Sequence, residues 1–455
     1  MSDGIRPAAG PPRPYTFPAA QREQLPNGLT VYVVPLRRLP VATALLMSDA
    51  GAECDALPLA GVGSLTVEVQ PEGTTKRDGT ALADAFEQLG GSLDTSVTWT
   101  HSEVGTTVTT ARFGAAVHLL AEVARAPSFP ESEVTRLREE RMAELLQQRA
   151  EPRGLADDMF AHVCFSAESR YANPEGGEER TVATITREAL VRHHARYVVP
   201  ARSALIVAGD VDVDAILQLA EDALGAWRGD GVAPPEIAVA PMHEARMVHI
   251  VAKPDSPQSE LRVGHLSVAR RHPDFHALSV MNAILGGLFN SRINLNLRET
   301  HAYTYGAFSH FEWRRRASSF ETSTAVRSDI TGAAVREILG EIDRIRNDLV
   351  SPAELSLAVD YLTGVFPIRF ETTAAIADAL ASREGYGLPA DYFDRYRERV
   401  AAVTAADVLR VAQLHLAPER LQVVAVGDPA IVRADLEALQ IGPVQLYDAT
   451  GERMS

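Results

Sequence analysis

Spacing decides which of the histidine, cysteine, carboxylate and guanidinium groups in this chain could act together. His272 and His276 are four apart, the separation that sets two imidazoles on one helix face for a zinc ion. Pro273 suits a first helical turn, which puts His272 at the cap, and no third ligand with second-shell support is visible; the pair reads as two ordinary histidines. His193 and His194 are adjacent, so they point to different faces of a helix. His101 and His162 are isolated. Ser64 has no base nearby and is not read as a nucleophile. Cys54 and Cys164 are too few for a disulfide framework or a cysteine-based zinc module. Arg314, Arg315 and Arg316, next to Trp313, form a small basic run that reads as a solvent-facing hairpin tip. Glu144 lies in RLREERMAELLQQRAE and reads as a solvated helix glutamate, and Glu68 as similar polar filler.

The background is that of a globular protein: 455 residues, 46% apolar and 23% charged. With 44 basic and 60 acidic residues the net charge is −16, which argues against a nucleic-acid binder. No apolar run approaches the ~18 residues of a membrane-spanning helix. The opening MSDGIRPAAGPPRPYTFPAAQ has no apolar signal-peptide core and reads as a disordered lead over residues 1–22. The expected compartment is the cytoplasm, or the periplasm if an export signal has been removed.

An internal repeat sets the domain count. YVVPARSALIVAGD around Tyr197 matches LHLAPERLQVVAVGD around Leu416, with Pro200, Arg202, Gly209 and Asp210 answering Pro418, Arg420, Gly427 and Asp428 at an offset of 218 residues. LTVYVV at Leu29 maps onto MVHIVA at Met247 by the same offset. Two similar halves follow, over 23–228 and 247–447, joined by the Gly-, Pro- and Ala-rich linker 229–246 that permits a hinge, with a tail over 448–455. Strands are expected at 29–34, 41–48 and 102–110, and a strand pair over 303–326. The Leu82, Phe86 and Leu89 spacing predicts a helix ending at Gly90–Gly91. Further helices are expected over 131–151, 274–285, 331–347, 352–364 and 372–384. Grouped strands and grouped helices fit α+β layers better than a parallel βαβ array.

Four stretches, LPNGLTVYVVP, AGVGSLTVEVQPEGT, FEQLGGSLDTSVTWTHS and NAILGGLFNSRINLNLRETHAYTYG, resemble the M16 (pitrilysin, or insulinase-like) metallopeptidase family, in its short two-domain form, from about Gln24 to Tyr447. The resemblance implies two homologous LuxS/MPP-like metallohydrolase domains, each a mainly antiparallel sheet packed with helices. It also places the family's HxxEH zinc motif. Gly73–Thr74 fixes the register, and the three motif positions hold Ser64, Val67 and Glu68; the family's third ligand falls on Glu144. Both metal histidines and the general-base glutamate are therefore replaced. Zinc wants three imidazole or carboxylate ligands and an open position; Glu68 and Glu144 alone suit only a weak hard-cation site, and Val67 cannot take a proton from water.

In the second half the family pattern is kept. LRETHAYTY places Arg298 and Tyr305 on the positions of the family's Arg/Tyr pair, which bind the substrate backbone and the oxyanion across a closed chamber. A guanidinium and a phenol both donate to developing negative charge; Tyr305 is preferred over Tyr303 by the family spacing alone. LGGLFNSR lacks the long glycine-rich loop of the mitochondrial α-subunit type. The resemblance thus implies a chain without zinc, paired with an HxxEH-bearing subunit that holds the zinc, acting on unfolded or short peptides. The −16 charge suggests a preference for basic ones. The alternatives are a catalytically inactive homodimeric scaffold or peptide holder, and a hydrolase using another metal through Glu68 and Glu144.

Overall fold

The computed structural model describes residues 14–454. Six strands of the first half, β1 (Gln21–Gln24), β2 (Thr30–Pro35), β3 (Val41–Ser48), β4 (Asp94–Val97), β5 (Ser102–Thr109) and β6 (Ser203–Gly209), form one sheet in the order β1-β2-β6-β3-β5-β4. Six more, β7 (Met247–Ala252), β8 (Gln258–Ser267), β9 (Ala307–Glu312), β10 (Ser318–Arg327), β11 (Gln422–Gly427) and β12 (Val444–Tyr447), form a second in the order β12-β7-β11-β8-β10-β9. The 218-residue offset is therefore a structural repeat, strand for strand over five positions. The sixth differs: β1 lies antiparallel to β2, whereas β12 lies parallel to β7. Each sheet is mainly antiparallel with a parallel step inside, β2 on β6 and β7 on β11. The repeated glycines have a packing reason. A Cβ on Gly209 would lie 2.4 Å from the Val41 carbonyl oxygen, and one on Gly427 would lie 2.7 Å from Ser259 Oγ.

β6 and β11 are buried along their whole length, and apolar after their first residue, because both faces of each sheet are covered. One face of the first sheet packs on its own half's helices, including Phe113–Arg125 and Val213–Leu224. The other face, with Tyr32, Leu45, Met47 and Ile206, is covered by Ile376, Ala377, Leu380 and Ala381 of helix Thr373–Gly385, which belongs to the second half. The exchange is reciprocal. Helix Pro152–Cys164 of the first half lays Leu155, Met159, Phe160 and Val163 against Val251, Val424 and Val426 of the second sheet. Each buried Leu, Ile, Met or Phe contributes roughly 1.5–3 kcal/mol, so the two halves hold one another as a single packed unit.

The linker whose composition permits a hinge is held in place. The segment 229–246 is pinned along its course: Ser166 N donates to Ala240 O (2.9 Å), Met242 N to Cys164 O (3.3 Å), and Ile237 is buried in the seam between the halves. The expected disordered lead is corrected in part. Residues 1–13 lie outside the described residues, but Phe17 is buried, stacked on Phe393 at 4.4 Å, and Gln21–Gln24 is strand. The arginine run is not a solvated tip either. Arg314 is buried between the Trp99, Phe165 and Tyr171 rings, and Arg315 reaches into the first half to Asp49 (2.8 Å) and the Thr100 carbonyl (3.1 Å); only Arg316 is exposed. The helix expected over 274–285 runs as α-helix from Phe275 to Asn282 and widens to a π turn over Ala283–Gly287, where Gly286 lets the backbone approach Ser309. Among the described residues no single helix is long and apolar enough to cross a membrane.

Candidate functional site

Ser64, Val67 and Glu68 lie on helix Val62–Val69, beside edge strand β4. The start of this helix is anchored by Asp55, whose carboxylate accepts from Gly61 N (2.8 Å), Gly63 N (3.0 Å) and Arg170 Nη2 (3.2 Å). These bonds meet the unsatisfied amides of the first turn. Asp55 and Arg170 are both buried; burial pushes the Asp55 pKa up to about 6 against the pull of Arg170. Ser64 and Val67 face inward and are buried, with Ser64 Oγ at the limit of a hydrogen bond to Glu175 O (3.5 Å). Only Glu68 is exposed.

Helix Glu131–Ala150 brings Glu140, Arg141 and Glu144 to the same place. Arg141 pairs with Glu144 (3.0 Å), donates through Nε to Gly176 O (3.4 Å), and is the positive charge that acts on Glu68. Glu68 is exposed at its surface yet crowded by protein, as on a concave wall. Desolvation raises its pKa, Glu144 and Glu140 raise it further, and Arg141 opposes them. The residues therefore do not fit a zinc ion. Imidazoles are missing at both motif positions, and the two carboxylates share a fixed guanidinium where a metal's charge would be needed. Arg141 and Gly176 escaped sequence reasoning because nothing in the motif register points to them.

Arg298 and Tyr305 lie on a different wall. Arg298 belongs to a π-helical turn, Leu295–Thr300; its guanidinium rests 4.6 Å over the Phe289 ring and 3.4 Å from Glu299. The chain then reverses through Ala302, at φ +53, and feeds edge strand β9. The turn is tied down by Tyr303 N to Leu297 O (2.8 Å) and by Asn294, which accepts from Ala307 N (3.0 Å) and donates to Phe289 O (2.7 Å). Tyr303 is half-buried and stacks on His301, whereas Tyr305 is 95% exposed. Of the two tyrosines, Tyr305 is the one that projects fully into solvent. No hydrogen bond joins Arg298 to Tyr305; each is open to a ligand.

Between these walls runs a charged seam. Trp99 of the first half donates to Glu312 of the second (3.3 Å), and Arg314 donates to Tyr171 O (3.0 Å). Burial pushes Glu175 up to about 7, helped by nearby Glu312 and opposed by Arg314 and Arg170. Glu321 is raised to about 8 by burial, against Arg262. A cavity of about 320 Å³ lies here, lined by Asp157, Arg262, His310, Glu312, Arg314 and Glu321. Both signs of charge line it.

The remaining histidines have structural settings. His193 is buried and His194 half-buried, and desolvation holds both down to about 4. His101 pairs with Glu103 and His162 with Glu178. His276 lies among the Phe275, Tyr392 and Tyr396 rings, so it does not join His272. His272 meets Asp274 and His415 instead.

Two domains of this topology define an M16-type architecture. Residues 37–171 match the family described as Insulinase (Peptidase family M16), and residues 184–362 match the Peptidase M16 inactive domain. The chain belongs to the M16 peptidase family. It is similar to an uncharacterised zinc protease of Mycobacterium tuberculosis, 23% identical over 424 residues that cover 92% of this chain and 96% of the relative. It is also similar to subunit 1 of the bovine mitochondrial cytochrome b-c1 complex, 25% identical over 278 residues, 60% of this chain and 56% of that one. Its fold matches a peptidase M16 inactive domain structure from Pseudomonas fluorescens (TM-score 0.84, 24% identity, 90% of this chain and 98% of that one). A protease from Helicobacter pylori matches at TM-score 0.85 and 19% identity, over 90% and 100% of the two chains.

Proposed function

We propose that this chain is the non-zinc subunit of a heterodimeric M16 zinc peptidase, closing a chamber against an HxxEH-bearing partner. The observation that carries this reading is the contrast between its two walls: Arg141 supplies the positive charge that acts on Glu68 and Glu144, while Tyr305 stands exposed and Arg298, half-exposed, meets only its neighbour Glu299 and the Phe289 ring. Zinc would be held by the partner, where it polarises the reacting groups. This chain's own residues bind and orient. Arg298 donates from its planar guanidinium to a substrate carbonyl. Tyr305 donates its phenol proton in a hydrogen bond to the oxygen on which charge develops. The outer edge of β9 beside them offers main-chain groups to an extended peptide.

The test is reconstitution. This chain is mixed with a similar-length HxxEH-bearing M16 subunit, and cleavage of unfolded peptides is followed. The expected result is activity from the mixture and none from this chain alone. Stable heterodimers whose activity does not depend on Arg298 or Tyr305 would favour an inactive scaffold, a role in keeping with the resemblance to a cytochrome b-c1 subunit. A cleavage screen across peptides of graded charge would show whether the −16 chain favours basic substrates; no trend, or an acidic preference, removes that expectation.

A further inference from the structure

The second half gathers a set of ligands that the sequence does not announce. Asp274 stands immediately before helix Phe275–Asn282, and His415 closes helix Ala405–His415, which packs against it. His415 Nε2 is 2.8 Å from Asp274 Oδ2, and His272 Nδ1 is 3.9 Å from the same oxygen. One ligand atom from each residue lies within 4.8 Å of the other two, and the imidazole rings meet edge to face at 4.9 Å. We propose that His272, Asp274 and His415 form a binding site for a borderline divalent cation of the zinc type.

The chemistry selects that class. Two imidazoles and one carboxylate suit Zn²⁺, Co²⁺ or Ni²⁺, whereas Mg²⁺ and Ca²⁺ prefer oxygen ligands throughout. Ligand atoms around a tetrahedral ion at ~2.1 Å stand about 3.4 Å apart, and the observed 2.8 and 3.9 Å bracket that spacing. The side chains of His415 and Asp274 are 8% and 15% exposed and that of His272 is 32%, so two ligands are held by packing and the third opens the site to solvent. That leaves an entry path and room for a fourth, water ligand.

Two groups compete with the ion: the Asp274 backbone N–H, which donates to His272 Nδ1 at 3.2 Å, and Arg410. Arg410 forks onto Asp274, at 2.8 Å to Oδ1 and 3.2 Å to Oδ2. Its side chain is 49% exposed, so the fork can open toward solvent. It can keep Oδ1 while Oδ2 turns to the metal, as outer hydrogen bonds commonly orient ligating carboxylates. The corresponding first-half positions, 218 residues earlier, hold Cys54, Ala56 and Tyr197. The ligand set is therefore not part of the repeated skeleton. It is also separate from Ser64, Glu68 and Glu144, where the same cation is disfavoured.

The experiment uses the full chain, stripped with a chelator and titrated with Zn²⁺ by calorimetry and with Co²⁺ by visible absorption. Wild type is expected to take about one equivalent at micromolar affinity or tighter, with a tetrahedral-type Co²⁺ spectrum and a raised Tm. His272→Ala and His415→Ala should each weaken binding by ~10-fold or more, and the double variant Glu68→Gln/Glu144→Gln should bind as wild type does. His272→Ala alters the most exposed ligand, so it serves if His415→Ala does not fold. Absence of saturable binding by wild type, or binding unchanged in His272→Ala, overturns the site.

Discussion

The two halves share a strand order and part company at their chemical walls. In the first, Ser64 and Val67 are buried, and Glu68 and Glu144 flank Arg141. In the second, Arg298 and Tyr305 project with no partner beyond Glu299 and the Phe289 ring. Two neighbouring carboxylates need a cation, and here a guanidinium provides it. The first wall balances its carboxylates with its own guanidinium, while the second leaves Tyr305 open to solvent and Arg298 half-exposed. Their anchoring differs too. The motif helix is fastened by a buried ion pair, Asp55 to Arg170, whereas the Arg298 turn is held by neutral amide hydrogen bonds of Asn294.

That difference in anchoring gives the largest expected effect. Asp55→Ala leaves Arg170 buried without its carboxylate and removes the cap of the motif helix. Breaking such a pair from one side costs about 3–5 kcal/mol, so urea denaturation should show most of the stability lost. Asn294→Ala should cost only about 1–3 kcal/mol, the usual penalty for orphaned neutral groups. Equal losses would erase the distinction. Next comes catalysis in the reconstituted heterodimer. Tyr305→Phe should lower kcat by ~10- to 1000-fold, the range for losing an oxyanion donor. Glu144→Gln should leave kcat within about twofold, because that wall is assigned no part in the reaction. A kcat unmoved in Tyr305→Phe refutes the role of the second wall.

A smaller effect concerns the seam between the walls. Glu321, raised to about 8, and Glu175, raised to about 7, carry protons in the folded chain that the unfolded chain releases near pH 4.5. Their contribution therefore grows as pH falls through 8 and 7. His193 and His194, held down to about 4, act in the opposite sense, but only below about pH 6.5. Between pH 7 and 8.5 stability should rise on acidification, by at most ~1.4 kcal/mol per pH unit for each group. Glu321→Gln should flatten that slope. A slope unchanged in the variant would show that Glu321 titrates at its ordinary value.

Much of the fold was legible before the structure. The repeat gave the two halves, and the glycine pair Gly209 and Gly427 marked the same close strand contact twice. One helix end followed from a local signal, Gly90 at φ +78; the Asp78 side chain that caps the start of Gly79–Gln88 is seen only in the structure. What could not be read was partnership across the chain. Helix Pro152–Cys164 and helix Thr373–Gly385 look like ordinary amphipathic segments; that each serves the other half's sheet is a tertiary fact. The same holds for Arg314, which looked like a solvated tip and is buried among aromatic rings 143 and more residues away. Arg298 and Tyr305 could be chosen by register, but Tyr305 over Tyr303 gained a physical ground only from exposure. His415 was invisible beside His272 because 141 residues separate it from Asp274.

The finest test of the charge-balance argument is Gly176→Ala. A Cβ there would lie 2.0 Å from Arg141 Nη2 and 2.7 Å from its Cζ, so the guanidinium must move. It is the flexible end of a long side chain, and the stability cost should stay under about 1 kcal/mol. The electrostatic consequence is specific. Arg141 is the group that lowers the Glu68 pKa, against burial and two neighbouring glutamates. Displacing it should raise that pKa further, and the Glu68 carboxyl resonance, followed by NMR, should titrate at higher pH than in wild type. Because the folded state then holds the proton more tightly than the unfolded one, the variant should regain stability as pH falls through that raised value. An unshifted Glu68 titration would mean that Arg141 does not stand in for the metal's charge, and the contrast between the two walls would rest on Arg298 and Tyr305 alone.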